Sequence, residues 1–345
     1  MIKIFTYRDL LTPGNRRRVH PLLFDLHYNE NPHPSVQEHF EIEDDAQKAD
    51  FFIFPIDYSA TKEVEIREAF DTIYQESIGL GKKIMVYTGG DYGFTFNDDH
   101  IITWRNAGFK SSNDTQTIIL PSFIDDPIDR EGFVFKIHKY QPEPHIAFTG
   151  YANAGWSEQL LFTSSFIKRW LFSKWGHRLK DVSPLYNAAK KRFYFLKDLE
   201  QDDRIQTEFI YRDKYRAGVS TLEEREQSTE DFFNNLNAAP YTFCLRGTGN
   251  FSVRFYESLA CGRIPVLIDT DVHLPLDEEI DWDRHICRVQ PEDNVADQLI
   301  KYHQSHTSAS FEKLQESNRH LYLHYLVRHK YWRYVKQILK SIAES

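Results

Sequence analysis

Residues 241–282 read YTFCLRGTGNFSVRFYESLACGRIPVLIDTDVHLPLDEEIDW. In order, these residue types spell a strand, a glycine turn, a helix and a second strand. YTFCL (241–245) is an apolar run of strand length, and RIPVLID (263–269) is another. Between them, Arg246-Gly247-Thr248-Gly249-Asn250 follows the first strand directly as a turn. A helix is expected over about Phe251 to Cys261, with Gly262 as its left-handed stop. Gly247 and Gly249 permit tight bends and the close approach of a bulky ligand. Free N–H groups and the dipole at the start of the helix favour phosphate there, together with Asn250 and Ser252 of the turn. Arg246 and Arg254 can neutralise a diphosphate through bidentate bonds. One turn beyond Arg254, Glu257 is placed to accept hydrogen bonds from two neighbouring ribose hydroxyls. A GxGxx spacing is weak by itself. Spacing alone equally allows a surface turn with an Arg254–Glu257 helical ion pair.

Outward from this stretch the chain alternates. IKIFTY (2–7), ADFFIFPI (49–56), KKIMVYTGG (82–90) and TIILPSF (117–123) read as strands, and residues 62–78 carry a helical apolar pattern. Strand, helix, strand in that rhythm implies a parallel α/β domain. Residues 124–145 hold three prolines and mixed charges, and read as a connection between domains. A second series follows, with HIAFTGY (145–151) as a strand, a helix over 156–175, and ICRVQ (286–290) closing a sheet. Residues 211–231 are dense in charge and are expected to be partly loop. The end, 321–345, reads as one amphipathic helix with Leu323, Val327, Tyr331, Tyr334, Ile338 and Ile342 on its stripe. Two readings apply to that helix: packing on the body, which is preferred, or lying on a membrane surface.

The run from Phe243 to Trp282 resembles the signature of exostosin-type inverting glycosyltransferases. The matching elements are Phe243-Cys244-Leu245, Arg246, Gly247, Ser252, Arg254, Glu257, Ile264-Pro265-Val266, Leu274-Pro275 and Ile280-Asp281-Trp282. Upstream, AQKADFFIFPIDYS (46–59) is similar to the alanine-aspartate-aromatic strand of that family, and Tyr28 and Glu38 match a preceding pattern loosely. The resemblance implies a GT-B architecture of two Rossmann-like domains facing a cleft. Residues 1–140 would form the acceptor-side domain, 141–322 the nucleotide-sugar donor domain, and 323–345 a helix returning to the first. It implies transfer of a sugar from a nucleotide-diphosphate donor, expected to be uridine-linked, to a saccharide or lipid-linked glycan, with inversion at the anomeric carbon. Arg246 and Arg254 would hold the diphosphate and Glu257 the ribose. Relatives usually carry an arginine soon after the glycine of the mid-chain strand, and HIAFTGYANAGWSEQ has none. Arg212 or Arg216 is the expected substitute.

An inverting transfer needs a general base that reaches the acceptor hydroxyl from the far side of the cleft. Strand-end loops of the first domain are where such groups sit. The candidates are Asp57 in FPIDYS, Asp91 in TGGDYG and His27 in FDLHYNE, the two aspartates being preferred over His27. Each has a plainer alternative as a turn-former or loop side chain. The leaving diphosphate can be stabilised by arginines and a helix N-terminus, so no metal is expected. Asp269-Thr270-Asp271 matches a DxD pattern but falls in the turn before Leu274-Pro275. His303 with His306, and His320 with His324, have helical ligand spacing without a completing set, and solvated helix faces are expected for them.

The chain carries 42 Lys and Arg against 51 Asp and Glu, a net charge of −9, which argues against a general nucleic-acid binder. Residues 164–197 depart from that total, with nine basic side chains against the single acid Asp181. Such a face suits anionic headgroups, a lipid-linked acceptor or an acidic glycan, or is a solvated helix pair. Cys244, Cys261 and Cys287 fit neither a disulfide framework nor a zinc site. With no signal-like start and no apolar span, the expectation is a cytoplasmic enzyme of surface polysaccharide or glycan biosynthesis, peripheral at most to the inner membrane face. The alternative from another class is a non-catalytic nucleotide- or glycan-binding module on the same fold. A retaining transferase on that fold is a third reading.

Overall fold

The computed structural model describes residues 1–28, 34–59, 64–130, 132–155, 185–212, 218–219 and 221–344. Among them are two wholly parallel sheets. The first contains β1 (Ile2–Phe5), β2 (Phe40–Ile42), β3 (Phe51–Ile53), β4 (Ile84–Tyr87), β5 (Ile101–Arg105) and β6 (Thr117–Ile119), in the order β2-β1-β3-β4-β5-β6. The second contains β7 (His145–Tyr151), β8 (Gln206–Arg212), β9 (Tyr241–Cys244), β10 (Ile264–Ile268) and β11 (Cys287–Val289), in the order β11-β10-β9-β7-β8. The longer helices are α1 (Val64–Gly79), α2 (Ala188–Glu200), α3 (Leu222–Ala238), α4 (Val253–Ala260), α5 (Val295–Gln304), α6 (Ser308–Leu321) and α7 (Arg328–Glu344). Two such α/β units, with the last helix returning to the first sheet, make the GT-B architecture.

Central strands are apolar on both faces, as parallel sheets flanked by helices require. β4, β5, β9 and β10 are almost continuously buried. Several elements differ from the sequence reading. β2 and β5 were not anticipated. Of residues 211–231, expected to be charged and partly loop, 211–212 end the edge strand β8 and 222–231 belong to the helix α3, while 213–217 and 220 lie outside the described residues. α3 owes its start to a capping box, in which Thr221 and Glu224 satisfy each other's backbone N–H groups. The expected helix 156–175 lies outside the described residues.

The C-terminal reading also needs correction. Residues 321–345 are not one helix, because π-helical turns over Tyr322–Leu326 and an extended Val327 separate α6 from α7. That interruption rotates the buried stripe. Tyr331, Trp332, Val335, Leu339 and Ile342 are buried, whereas Leu323 is exposed and Tyr334 and Ile338 are only half-covered. α7 packs on the body of the protein, joining the core of the first sheet together with Phe255, Tyr256 and Leu259 of α4.

One polar knot pins α7 in place. Buried Asp25 accepts 2.6 Å from Trp332 Nε1 and 2.8 Å from Arg328 Nε. Tyr331 donates 2.6 Å to the carbonyl of Ile119 at the end of β6. Among the described residues no helix is long and apolar enough to cross a membrane. Asp25→Ala would orphan a buried indole N–H and uncouple Arg328, so chemical denaturation should show a loss of about 2–3 kcal/mol. A denaturation midpoint equal to that of the wild type would mean that the apolar face of α7 suffices alone.

Candidate functional site

Three arginines converge where β7, the glycine turn and α2 meet. Arg254 Nη2 donates 2.5 Å to the carbonyl of Thr149, and its guanidinium lies 4.4 Å from the Phe148 ring centre. Arg192 reaches in from α2, donating 2.6 Å to the carbonyl of Tyr151 and 3.1 Å to that of Arg246. Arg246, itself 4% exposed, donates 2.8 Å to the Thr248 carbonyl and lies between the rings of Phe109 and Tyr186. Gly150 makes the approach possible, since a Cβ there would stand 2.8 Å from Arg254 Nη2.

No carboxylate pairs with these guanidinium groups among the described residues. Burial lowers the pKa of all three; Arg192 falls to about 10, with the like charge of Arg254 adding to the effect. Among the described residues the Nε atoms of Arg192, Arg246 and Arg254 are buried without a partner, and so are Thr149 Oγ1 and Tyr186 Oη. Buried donors and acceptors are normally satisfied. Cations gathered with spare donors form a site built for an anion.

The start of α4 adds to it. Ser252 is the N-cap residue, yet its hydroxyl takes no N–H of the first turn. That end of the helix is left open to a ligand. A pocket lined by Arg246, Phe251, Ser252, Tyr256, Thr270 and His273 opens beside it. Glu257 lies one turn further on. Its side chain is half-exposed overall, but its carboxyl is densely surrounded by protein, and burial pushes it up to about 7 against the opposing pull of Arg254 and Arg130. Among the described residues Glu257 makes no ion pair with Arg254, so the plain helical pair weighed above is not formed.

Other expected residues have different tasks. Asn250 is 3% exposed, and its amide spans the carbonyls of Gly108, Thr270 and Asp271 at 3.0 Å each, while Thr270 Oγ1 donates 2.6 Å to its Oδ1. It therefore brackets the turn to the first domain rather than presenting an amide to a donor. Gly247 has open space where a side chain would be and no left-handed φ. Gly249 is the glycine that geometry demands, because a Cβ would lie 2.8 Å from the Phe251 ring and 2.9 Å from both Cα and Oδ1 of Asp91. Arg212 donates 2.6 Å to the carbonyl of Ser228 at the edge of the arginine cluster. Arg216 and residues 164–184 of the basic segment lie outside the described residues.

The base candidates separate by position. Asp91 follows β4 in a short helical turn, is exposed, and lies directly against Gly249 of the glycine turn, its charge acting on Arg246. Asp57 Oδ1 accepts from Ser59 N, Ser59 Oγ and, at 3.1 Å, Gly89 N. It thus secures the turn that presents Asp91. His27 is exposed on a π-helical turn with its ring against Tyr28.

Of the DxD residues, Asp271 bonds the first domain and Asp269 braces the second from within. Asp269 accepts from Arg288 at 2.7 Å and from Val272 N, while Asp271, at φ 61°, bonds Ser111 and gives its carbonyl to Lys110 N. Among the described residues no group of three or more His, Cys, Asp or Glu could hold a metal ion. His303 is not on a solvated face. It is 1% exposed, between Tyr241 Oη at 3.0 Å and the Gln141 carbonyl at 2.8 Å. His320 and His324 are exposed and stacked, as expected of a wet helix face.

Arg192 escaped the sequence reading as a site residue and was counted only within a basic run. A signal was present, since Arg192, Leu196 and Leu199 share one face of α2 and both leucines are fully buried. An arginine on the buried face of a helix is a group with a task.

No curated protein matches the chain. Among solved structures, a GtfA/B complex is similar at 10% identity and a TM-score of 0.38, over 86% of this chain and 57% of that one. HepE of Anabaena is similar in its complex with UDP, at 8% identity and a TM-score of 0.36 over 99% and 100% of the two chains. Its complex with UDP-glucose gives 10% and 0.31 over 100% and 98%. The present chain thus spans little more than half of the GtfA/B chain, and scores at this level support no inference. The family comparison is specific: residues 188–306, which run from the start of α2 through the glycine turn and α4 to the end of α5, match the Exostosin GT47 domain, an exostosin-type glycosyltransferase domain.

Proposed function

We propose that the chain is an inverting, metal-independent glycosyltransferase that moves a sugar from a nucleotide-diphosphate donor, with uridine as its base, to a saccharide acceptor. The observation that carries this reading is the set of unpaired, buried guanidinium groups of Arg192, Arg246 and Arg254 at the open start of α4. Arg192 takes the place assigned above to Arg212 or Arg216. The diphosphate lies among these groups and the ribose hydroxyls bond Glu257. Asp91 removes the proton from the acceptor hydroxyl as its oxygen attacks the anomeric carbon from the face opposite the diphosphate. The bond from that carbon to the diphosphate oxygen breaks, and the arginines and the helix N-terminus stabilise the charge that departs. Asp57 is a positioning residue, acting through the Gly89–Asp91 turn. A role in surface polysaccharide or glycan synthesis agrees with such a reaction.

Calorimetric titration of UDP, GDP and CMP, with and without magnesium, tests the donor site. UDP should bind selectively and indifferently to magnesium. Arg192→Ala and Glu257→Ala should each weaken it about ten- to a hundred-fold, the loss of a charged hydrogen-bond partner. Equal affinity in both variants would move the donor elsewhere.

Asp91→Asn should leave UDP affinity unchanged and lower kcat by about a hundred- to ten-thousand-fold. Asp57→Asn should do less. A change of anomeric configuration from donor to product, read from the anomeric proton coupling, would identify inversion, and retained configuration would refute it.

Glu257 also sets a pH dependence of stability. A carboxyl raised in the folded state binds more protons there than in the unfolded chain, so stability falls as pH rises from the ordinary carboxylate range to about 7. Glu257→Gln should flatten that part of the unfolding profile measured without nucleotide. Parallel profiles would mean that the Glu257 carboxyl is well solvated.

A further inference from the structure

Of the three arginines gathered for an anion, Arg192 and Arg254 keep partial exposure, whereas Arg246 offers an incoming ligand almost no surface. Two rings cover it. Tyr186, 4.9 Å from its Cζ, belongs to the second domain, as Arg246 does. Phe109, 5.2 Å away, comes from the first domain, in the segment 106–113 that follows β5. A ring borne by the other domain is the cover that can leave without unmaking the arginine cluster.

That segment is anchored at both ends. The Gly108 carbonyl takes the amide of Asn250 at 3.0 Å. Asn113 Oδ1 accepts from Thr95 Oγ1 at 3.0 Å, and its Nδ2 donates 2.7 Å to His273 Nδ1. Between the anchors, residues 109–112 reach across to the turn after β10. Phe109 makes an antiparallel bridge with Val272, and Lys110 N donates 3.0 Å to the Asp271 carbonyl. Ser111 donates both its N–H and its hydroxyl to the Asp271 carboxylate, and Lys110 Nζ pairs with Asp277 at 2.9 Å. The same turn lines the pocket beside the start of α4 through Thr270, Val272 and His273.

These bonds differ in exposure, and that orders them by strength. Asn250 is buried, so its bonds are shielded. Lys110, Ser111, Ser112 and Asp271 are exposed, so water competes for the bonds of the crossing. Asp271 also holds a left-handed φ of 61°, a conformation unfavourable to a residue with a side chain. A crossing made of exposed bonds beside a buried anchor opens locally before the domains part.

We propose that residues 109–112 are a lid over Arg246 with the Asp271 carboxylate as its catch, lifting about Gly108 to admit the nucleotide diphosphate and to release it. This rests on the donor-site reading. The Asn250 bracket stays closed while the lid moves, so Gly249 and Asp91 keep their relative positions. Lid motion then sets the rate of nucleotide exchange and leaves the reacting groups in place.

Hydrogen exchange reads the opening, and stopped-flow binding of a fluorescent UDP analogue reads its consequence. Asp271→Gly removes the catch and accepts φ 61° without strain, so the carboxylate is tested apart from the backbone. Ser111→Ala is the milder second variant, and matching thermal unfolding shows that each is folded. In both, the Lys110 amide, whose acceptor is a backbone carbonyl that the substitutions keep, should exchange about tenfold faster or more while β5 stays protected. Association and dissociation of the analogue should rise together by a similar factor, and the dissociation constant should move far less. Asp271→Asn, which keeps an acceptor oxygen and tolerates the left-handed region, should lie close to the wild type. Phe109→Ala, which removes the cover, should also speed association.

Unaltered exchange at Lys110 would mean that Asp271 is no catch. Faster exchange with unaltered binding rates would mean that the segment opens but gates nothing. A rise in dissociation alone would make Asp271 a support of the bound nucleotide, and unaltered association in Phe109→Ala would mean that the ring excludes nothing. Each of these overturns the proposal. UDP titration of the wild type separates the two levels: UDP bound with any of those results sinks the lid alone, whereas no UDP binding sinks the donor-site reading and the lid with it.

Discussion

Burying guanidinium groups side by side is unfavourable, and the second domain is arranged around offsetting that cost. Arg192, Arg246 and Arg254 come from a helix, a turn and another helix, and they meet over the end of β7. Backbone carbonyls of Thr149, Tyr151, Arg246 and Thr248 take some of their N–H groups, and rings of Phe148, Phe109 and Tyr186 cover their faces. Dipoles and ring quadrupoles soften the repulsion without cancelling the charge. What remains is a positive, partly desolvated site whose natural complement is an anion carrying more than one charge.

The cleft depends on a second constraint, the tether between domains. Asn250 ties the glycine turn both to Gly108 after β5 and to the 270–271 turn, and Asp271 holds Lys110 and Ser111 in the same seam. One buried amide thus fixes where the glycine turn stands relative to the first sheet. The close passage of Gly249 past Asp91 follows from that placement, and so does the location of the arginine cluster opposite the strand-end loops.

Much of the fold was legible because its signals are local. HIAFTGY is a run of strand length with an apolar centre and coincides with β7, and Gly262 stops α4 in the left-handed conformation at φ 66°. The elements that were missed lack such marks. β2 is three residues long, and α3 carries so much charge that its helicity shows only in the Thr221–Glu224 cap. In the C-terminal region, two helices with different phase read as one stripe, because a π-helical insertion shifts the face without breaking the apolar count.

By itself the sequence determined the kind of protein: alternating strands and helices in two series, a glycine turn followed by a helix with Arg254 and Glu257 a turn apart, and an apolar last helix. These follow from hydrophobic period and turn chemistry, which act over a few residues. Only the tertiary structure decided that Asn250 is a bracket, that Asp57 supports a turn while Asp91 lies against the glycine turn, that Arg192 completes the cationic cluster, and that Asp269 and Asp271 are fastenings. Each of those roles depends on groups far apart in the chain, 142 residues in the case of Asn250 and Gly108, and on whether a side chain's bonding capacity is already used. Spacing along a sequence carries no record of that, because satisfaction of a polar group is a property of what surrounds it in space.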